Sequence, residues 1–309
     1  MITDKENAYY MNTRSAFVAI VGRPNVGKSS ILNRLLGQKV AIVSPRPQTT
    51  RTRIMGVLTQ EETQLVFTDT PGMHKPKTKL GDFMVHEIGD SIGGVDMAVL
   101  VVEEKGDIGP SEEALLEQIR KIDLPAVLVI NKIDRLSDKT KLAEVIARLS
   151  GLYDFSAIVP VSSVTGEGLD ILRNEMCGLA EPGPHFFPDD TLTDQPERTI
   201  ASEIIRESAL KLLTDEVPHG IAVDIESMKE RPKGNMIDLT ATVYCEKESH
   251  KGIIIGKQGA MLKRIGTNAR GELERVFDVK FNLQLWVKVR DDWRNRDGLL
   301  RSFGFKAQD

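Results

Sequence analysis

Along the first 180 residues, short unbroken apolar runs alternate with stretches whose apolar positions recur at helical spacing. The runs cover residues 17–21, 65–67, 97–102, 126–130 and 157–161, and helical patterns at 111–121 and 139–149 lie between them. A strand that is apolar at every position leaves no side for solvent. The pattern therefore predicts an α/β fold whose mainly parallel sheet is covered on both faces. The alternation stops at 181–196, where Pro182, Pro184, Pro188 and Pro196 mark a linker. Beyond it the period changes. Ile200, Ile204, Ile205, Ala209, Leu212 and Leu213 recur as on a helix, whereas Ile221, Val223 and Ile225 alternate as in a half-buried strand. So do Ile237, Leu239, Ala241, Val243 and Cys245, with Lys233, Gly234 and Asn235 turning between the two strands. Helical patches flank Gly256, Lys257, Gln258 and Gly259, and a last strand alternates Phe281, Leu283, Leu285, Val287 and Val289. The order helix-strand-strand-helix-helix-strand predicts a smaller α+β domain. The expected division is a tail at 1–15, an α/β domain at 16–180, a linker at 181–196, an α+β domain at 197–290 and a second tail at 291–309.

The 309 residues suit two domains, and the net charge of −4 means that any binding of nucleic acid depends on a local basic patch. Cys177 and Cys245 have no metal-ligand spacing, which suits reduced thiols in a cytosolic protein. The first residues carry no apolar core of a signal peptide, and no apolar run approaches the ~20 residues of a membrane span. The expected location is cytoplasmic, with peripheral contact at the cytoplasmic face of the membrane left open.

The candidate chemistry starts where the first run ends. Gly22, Arg23, Pro24, Asn25, Val26, Gly27, Lys28 and Ser29 have the spacing of a phosphate-binding loop, and Ser30 continues into a helix. Backbone N–H groups wrap a triphosphate where glycine keeps side chains away, Lys28 reaches the β- and γ-phosphates, and the Ser29 hydroxyl ligates Mg²⁺. Alone, the match could be a glycine-rich turn; the motifs that follow in order argue against that. Asp69, Thr70, Pro71 and Gly72 end the run at 65–67, placing a carboxylate for Mg²⁺ and a backbone N–H for the γ-phosphate. Asn131, Lys132, Ile133 and Asp134 follow the run at 126–130. Guanine offers two donors, N1–H and the N2 amine, to one carboxylate; adenine would set a lone pair against Asp134, which opposes an ATPase. The stem of Lys132 can cover the base plane, and backbone N–H groups around Ser162, Ser163 and Val164 can meet the guanine O6. Between the loop helix and Asp69 lie Ser44, Pro45, Arg46, Pro47, Gln48, Thr49, Thr50 and Arg51, a polar segment in which a threonine, Thr50 in preference to Thr49, can join Mg²⁺ in one nucleotide state and leave it in another.

Taken together, these motifs resemble the G motifs of translation-factor-class GTPases, and most closely those of the bacterial Era family. The resemblance implies a P-loop GTPase domain that uses Mg²⁺ and turns GTP into GDP and phosphate. The pair Ser162 and Ser163 departs from the Ser-Ala usual in the family, with little expected consequence because the role there is mainly backbone. Where Ras-like enzymes place a glutamine after the last glycine of their DxxG motif, this chain has Met73, a poor acceptor, so intrinsic hydrolysis should be slow. The family implies a substitute: an asparagine at the position of Asn25 that helps bind K⁺, making K⁺ a second candidate cofactor. Lys28, Thr50, Gly72 and Asn25 are then the residues expected to act on the reacting phosphates.

In the second domain, Gly256 and Gly259 bracket Lys257 and Gln258 in the GXXG pattern with which KH domains clamp nucleic-acid backbone. Lys247, Lys251, Lys257, Lys263, Arg264, Arg270 and Arg275 cluster nearby, followed by Lys288, Arg290, Arg294 and Arg296, against the acidic sign of the whole chain. The element order matches the type II KH arrangement, which the family pairs with its G domain. Candidate RNA contacts are Gly256, Lys257, Gln258, Gly259, Lys251, Lys263 and Arg264. Trp286 sits on the polar side of the last strand, where it can stack a base, with partial packing under the tail the preferred reading. The resemblance implies a monomer whose partners are GTP or GDP, the 3′ end of small-subunit (16S) ribosomal RNA and the 30S subunit. The alternative is a signalling or membrane-associated GTPase whose basic domain binds a protein or acidic lipid.

Overall fold

Residues Arg14–Val21 form β1, and its side chains alternate between two cores: Ala16, Val18 and Ile20 enter one, Ala19 and Val21 the other. That double burial is why the run is apolar throughout. The computed structural model describes residues 13–44, 46, 49–72, 78–92, 94–138, 140–232 and 234–305; Pro45, Pro47, Gln48, Met73 and Lys233, named above from the sequence, and residues 1–12 lie outside the described residues.

The chain divides into two units: Met1–Ala41, Thr50–His74 and Met84–Asp194 make the first, and Ile42–Thr49, Lys75–Phe83 and Gln195–Asp309 the second. In the first, β2 (Ile54–Gln60), β3 (Thr63–Asp69), β4 (Met97–Glu103), β5 (Ala126–Asn131), β6 (Ala157–Pro160) and β7 (Glu181–Pro182) join β1 in one sheet. Its order is β2-β3-β1-β4-β5-β6, with β2 antiparallel to β3, a short antiparallel β7 on β1 and the remaining pairs parallel. Helices α1 (Lys28–Leu36), α2 (Lys79–Ile92), α3 (Pro110–Lys121), α4 (Thr140–Ser150) and α5 (Leu169–Leu179) connect the strands. Ile31, Leu32, Leu172 and Met176 of α1 and α5 cover one face, and Leu115, Ile119 and Leu149 of α3 and α4 cover the other.

The proline-rich stretch differs from the linker expected at 181–196. It stays with the first unit through Asp194. Val57 N–H donates to Leu192 O at 2.9 Å, and the fully buried Gln64 accepts from the Phe186 and Phe187 N–H groups at 2.8 and 3.0 Å. Proline removes donors, and Gln64 and the β2 edge supply the missing partners.

The second unit follows the expected order: α6 (Glu197–Leu212), β8 (Ala222–Glu230), β9 (Met236–Cys245), α7 (Glu248–Ile255), α8 (Ala260–Phe277) and β10 (Lys280–Val289). β9 lies between β8, antiparallel to it, and β10, parallel to it. One face of the sheet packs on the helices through Ile225, Leu239, Ala241, Val243 and Phe281 against Ile204, Ile265, Ala269 and Leu273. The tail expected from 291 is largely part of this unit: α9 (Asp297–Ser302) follows Trp293, which is fully buried and donates Nε1–H to Gly220 O at 2.9 Å. Trp293 and Phe303 meet edge-on, and Phe303 lies 4.9 Å from the Tyr244 ring. The aromatic held by the tail is thus Trp293; Trp286 remains 58% exposed. Two segments from earlier in the chain also belong here: Arg46 Nε donates to Leu210 O at 2.8 Å, and Lys79 pairs with Asp297 at 2.7 Å. No helix among the described residues is long and apolar enough to cross a membrane.

Candidate functional site

In an open parallel sheet, ligands bind beyond the carboxyl ends of the strands where the winding reverses. Here β1 has β3 on one side and β4 on the other, so the loops that follow β1 and β3 meet. They meet so closely that a Cβ on Gly72 would lie 2.6 Å from the Pro24 backbone. Gly22 (φ +143°) would set a Cβ 2.4 Å from Val101 O, and Gly27 (φ +106°) would set one 2.1 Å from Asn131 Nδ2. The protein's own packing therefore already demands these glycines, in addition to the room a phosphate needs.

Three oxygens gather beside the loop. Ser29 Oγ donates to Asp69 Oδ2 at 2.6 Å and lies 3.0 Å from Thr50 Oγ1. Thr49 turns its hydroxyl back to Arg46 O at 2.6 Å, so Thr50 is the threonine at Ser29. Asp69 is fully buried, and its Oδ1 has no hydrogen-bond partner among the described residues. Burial lifts its carboxyl to about 6, against the pull of Lys28, Ser29 and Thr50. Lys28 is pushed down to about 8 by burial, which Asp69 and Glu112 oppose. Its ammonium donates to Gly22 O and Arg23 O at 3.0 Å each. A buried carboxylate oxygen without a donor, next to two hydroxyls, suits Mg²⁺, a hard cation that takes oxygen ligands and keeps much of its water.

Other loop residues are committed elsewhere. Arg23 pairs with the buried Glu112 and donates to Asp107 O at 2.9 Å, which ties the loop to the start of α3. Thr70 Oγ1 donates to Ile20 O at 2.9 Å, so its side chain is structural, while Pro71 and Gly72 are buried beside it. Val26 is buried in the core, and Ser30 lies half-buried in the first turn of α1. Asn25 is exposed with φ +66°.

The base-side loops are knitted together. Asn131, fully buried, donates to Val26 O at 2.8 Å and accepts from Ser163 N–H at 3.1 Å. Lys132 donates to Asn25 O at 2.6 Å and pairs with Glu103. Asp134 is exposed, and one of its oxygens accepts from Ser162 Oγ at 2.5 Å. Arg34 holds the carbonyls of Ser163 and Val164 at 3.0 and 2.5 Å. The Ser162 and Ser163 side chains thus do more than the backbone role expected of them: Ser163 Oγ also lies 3.4 Å from Asn131 Nδ2. Sequence reasoning missed Glu103, Glu112 and Arg34. Only the Gly109-Pro110 helix start hinted at Glu112, whose Oε2 accepts from Gly109 N–H at 3.2 Å.

In the second unit, Gly256 (φ +72°) joins α7 to the GXXG turn, Gln258 is left-handed at φ 52°, and Gly259 (φ +79°) precedes α8. A groove of about 420 Å³ beside the turn is lined by Gly259, Leu262, Lys263, Gly266, Thr267 and Arg270 of the turn and α8, and by Leu283 and Leu285 of β10. Lys257, Lys263, Arg264 and Arg270 make no ion pair among the described residues. The rest of the predicted basic cluster is smaller than its sequence suggests. Lys251, Arg275, Lys288 and Arg294 pair with Glu248, Glu272, Glu226 and Glu246.

Comparison with known proteins supports a GTPase domain followed by a KH domain. Residues 17–132 match the family model described as 50S ribosome-binding GTPase, and residues 216–294 match that of the KH domain. The chain is 51% identical over 297 residues to GTPase Era of Ruminiclostridium cellulolyticum, covering 96% of this chain and 99% of that one. It is 48% identical to GTPase Era of Clostridioides difficile, over 94% and 98% of the two chains. A solved structure of an Aquifex aeolicus Era variant bound to GDP·AlF4⁻ matches at 39% identity with a TM-score of 0.91, over 96% of this chain and 100% of that one. A solved structure of Era with MgGDPNP and nucleotides 1506–1542 of 16S ribosomal RNA matches with the same TM-score and coverage at 38% identity.

Proposed function

This chain belongs to the Era family of GTPases, and from that premise we propose that it is a nucleotide-dependent switch that binds the 3′ end of 16S ribosomal RNA through its KH domain and assists assembly of the 30S subunit. The observation that carries the reading is the pairing, in one chain, of an exposed Asp134 carboxylate beside a phosphate loop with a GXXG turn that opens onto a cation-lined groove. Asp134 selects guanine. Lys28 exchanges its loop carbonyls for the β- and γ-phosphates, and the Gly72 N–H meets the γ-phosphate. Ser29, Thr50 and Asp69 would hold Mg²⁺, which supplies positive charge against the phosphate oxygens. The switch follows from connectivity: Thr50 belongs to the first unit and Thr49 to the second, so a shift of Thr50 on gain or loss of the γ-phosphate acts directly on a segment of the RNA-binding unit.

The reading is tested by binding RNA spanning nucleotides 1506–1542 of 16S to the parent and to Gly259→Asp, alone and with Gly256→Asp. Nothing lies within 4 Å of a Cβ at Gly259, and aspartate tolerates its left-handed backbone, so the single variant should fold. A carboxylate there faces the RNA backbone and should weaken binding by about a hundredfold, two decades of affinity, while GTP hydrolysis is unchanged. Parent-like RNA binding by both variants sinks the KH reading. Tight binding instead to vesicles of acidic lipid, without preference for RNA, would favour the membrane-associated alternative.

K⁺ belongs to the same proposal. Asn25 lies at the loop's exposed turn, where Lys132 fixes its carbonyl, a position from which a cation can sit against the phosphates as an arginine finger does. Hydrolysis should be faster in KCl than in NaCl by about tenfold or more, the range of one transition-state contact, and Asn25→Ala should erase the difference. Equal rates in the two salts would refute a K⁺ site.

A further inference from the structure

From Ser162 to Glu167 the chain turns with nearly every backbone N–H in use. Ser162 N–H donates to Glu167 O at 2.9 Å, and Ser163 N–H to Asn131 Oδ1 at 3.1 Å. Thr165 N–H donates to Ser162 Oγ at 3.1 Å, Gly166 N–H to Ser162 O at 2.8 Å and Glu167 N–H to Thr165 Oγ1 at 3.3 Å. In this turn only the Val164 N–H has no partner among the described residues. A bare donor on an exposed loop is ordinary, because water can meet it. Less ordinary is the grip on the other side of the same peptide. Arg34 Nε donates to Ser163 O at 3.0 Å, and its Nη2 to Val164 O at 2.5 Å. In a planar trans peptide the C=O and the following N–H point in opposite directions. Holding Ser163 O therefore turns the Val164 N–H away from Arg34, and a rigid fork on two consecutive carbonyls keeps the peptide from flipping. The same turn is bonded to the base-side residues, Ser162 to Asp134 and Ser163 to Asn131.

We propose that Arg34 is a positioning residue for guanine recognition: by holding the Ser163 and Val164 carbonyls, it keeps the Val164 N–H turned to the O6 of a bound guanine nucleotide. The inference rests on the guanine reading of Asp134 above and adds to it a residue outside the motifs that meet the base. Arg34 lies in the last turn of α1, the helix that begins with Lys28 and Ser29. One helix thus starts at the phosphate loop and ends on the base loop, which holds the two at a fixed spacing. The plainer role for a cation there is to complement the carboxyl end of the helix and brace the loop. A brace alone would weaken every nucleotide alike, whereas an aimed donor is felt only through the atom it meets.

Competition of two analogues against labelled GDP separates these roles. 6-Thio-GDP keeps N1–H and the N2 amine but presents sulfur, a weaker acceptor, in place of O6. IDP keeps O6 and lacks the amine that Asp134 reads. The parent should prefer GDP to 6-thio-GDP by about fivefold, the worth of one neutral hydrogen bond. In Arg34→Ala, GDP affinity should fall by about that factor and the preference over 6-thio-GDP should shrink below about twofold, while the preference over IDP stays at the parent value. Arg34→Lys reaches one carbonyl without the planar fork and should fall between. Arg34 is exposed, so both variants should keep the parent's melting temperature without nucleotide. Unchanged GDP affinity in Arg34→Ala, or an equal loss of GDP, 6-thio-GDP and IDP, would overturn the inference. If the parent prefers GDP to IDP but Arg34→Ala keeps the parent's ratio of GDP to 6-thio-GDP, the role of Arg34 is wrong and the guanine reading stands. If the parent itself does not prefer GDP to IDP, the guanine reading of Asp134 has failed.

Discussion

Asp134→Asn should weaken GDP and GTP binding by about 10²–10³-fold while leaving the fold intact. The carboxylate receives Ser162 Oγ on one oxygen at 2.5 Å, and the residue is otherwise exposed at the mouth of the site. Its remaining lone pairs can take both guanine donors, N1–H and N2–H. Each such charge-assisted bond contributes about 1.5–3 kcal/mol, and an amide loses the charge and replaces one acceptor by a donor. The same amide should welcome xanthine, which carries a carbonyl where guanine carries the amine. Competition of XDP against labelled GDP therefore gives a sign as well as a size: preference for XDP in the variant, for GDP in the parent. Ser162→Ala should show a weaker form of the same loss. Its hydroxyl accepts from Thr165 N–H at 3.1 Å, so the donor hydrogen is directed at Asp134 and aims it. Unchanged GDP affinity in Asp134→Asn would mean that the base is read elsewhere.

The residues proposed to contact ligand were legible because their chemistry is local: a loop sequence, a DxxG, an NKxD, a GXXG. What supports them was not, because it depends on distant partners. Ser162 reaches Asp134, Glu103 reaches Lys132 and Glu112 reaches Arg23 only once the sheet has brought their loops together. Arg23 shows the consequence, since its place in the loop suggested a nucleotide contact and its side chain is instead bound to α3. The glycines were read as room for phosphate, yet Gly22 and Gly27 also answer to Val101 O and Asn131.

The fold divides along similar lines. Strands buried on both faces announced themselves, whereas β2 did not. Gly56 interrupts it, and that glycine is required because a Cβ would sit 2.7 Å from Leu36 Cδ1. The prolines of 181–196 signalled a break in regular structure correctly but concealed a strap, whose partners are a β2 amide and the Gln64 side chain. In the second unit the alternating strands were plain, while the basic face was overcounted. Arg275 with Glu272 could have been read as an i, i+3 helix pair, but Lys288 with Glu226 and Arg294 with Glu246 required the fold.

Asp69→Asn should change how stability depends on pH in the nucleotide-free protein, and should remove most of the response to Mg²⁺. The folded protein holds the Asp69 carboxyl near 6, above its ordinary 3.8, so folding favours the neutral form. That contribution is complete below about pH 3.8 and is lost as the pH rises through about 6. By neutral pH the ionised carboxylate opposes folding by about 3 kcal/mol, since each tenfold change in proton affinity is worth about 1.4 kcal/mol. Lys28 runs the other way: held near 8 against 10.5, it contributes fully only above its ordinary value, and the contribution is lost as the pH falls through about 8. Its charge opposes that of Asp69 at pH 7, so the asparagine variant gives back part of its gain by leaving Lys28 only the charge of Glu112 to offset its own. The difference in melting temperature, variant minus parent, should therefore grow in the variant's favour from pH 5 to pH 7.5; parallel curves would show that Asp69 is not strained by burial. Mg²⁺ must displace the same proton. In the parent, its effect on GDP affinity should weaken below pH 6, by up to about tenfold for each further pH unit, and in Asp69→Asn that pH dependence should vanish. The pH response of the nucleotide-free protein and its response to Mg²⁺ are thus two readings of a single buried carboxylate, whose Oδ1 has no hydrogen-bond partner among the described residues.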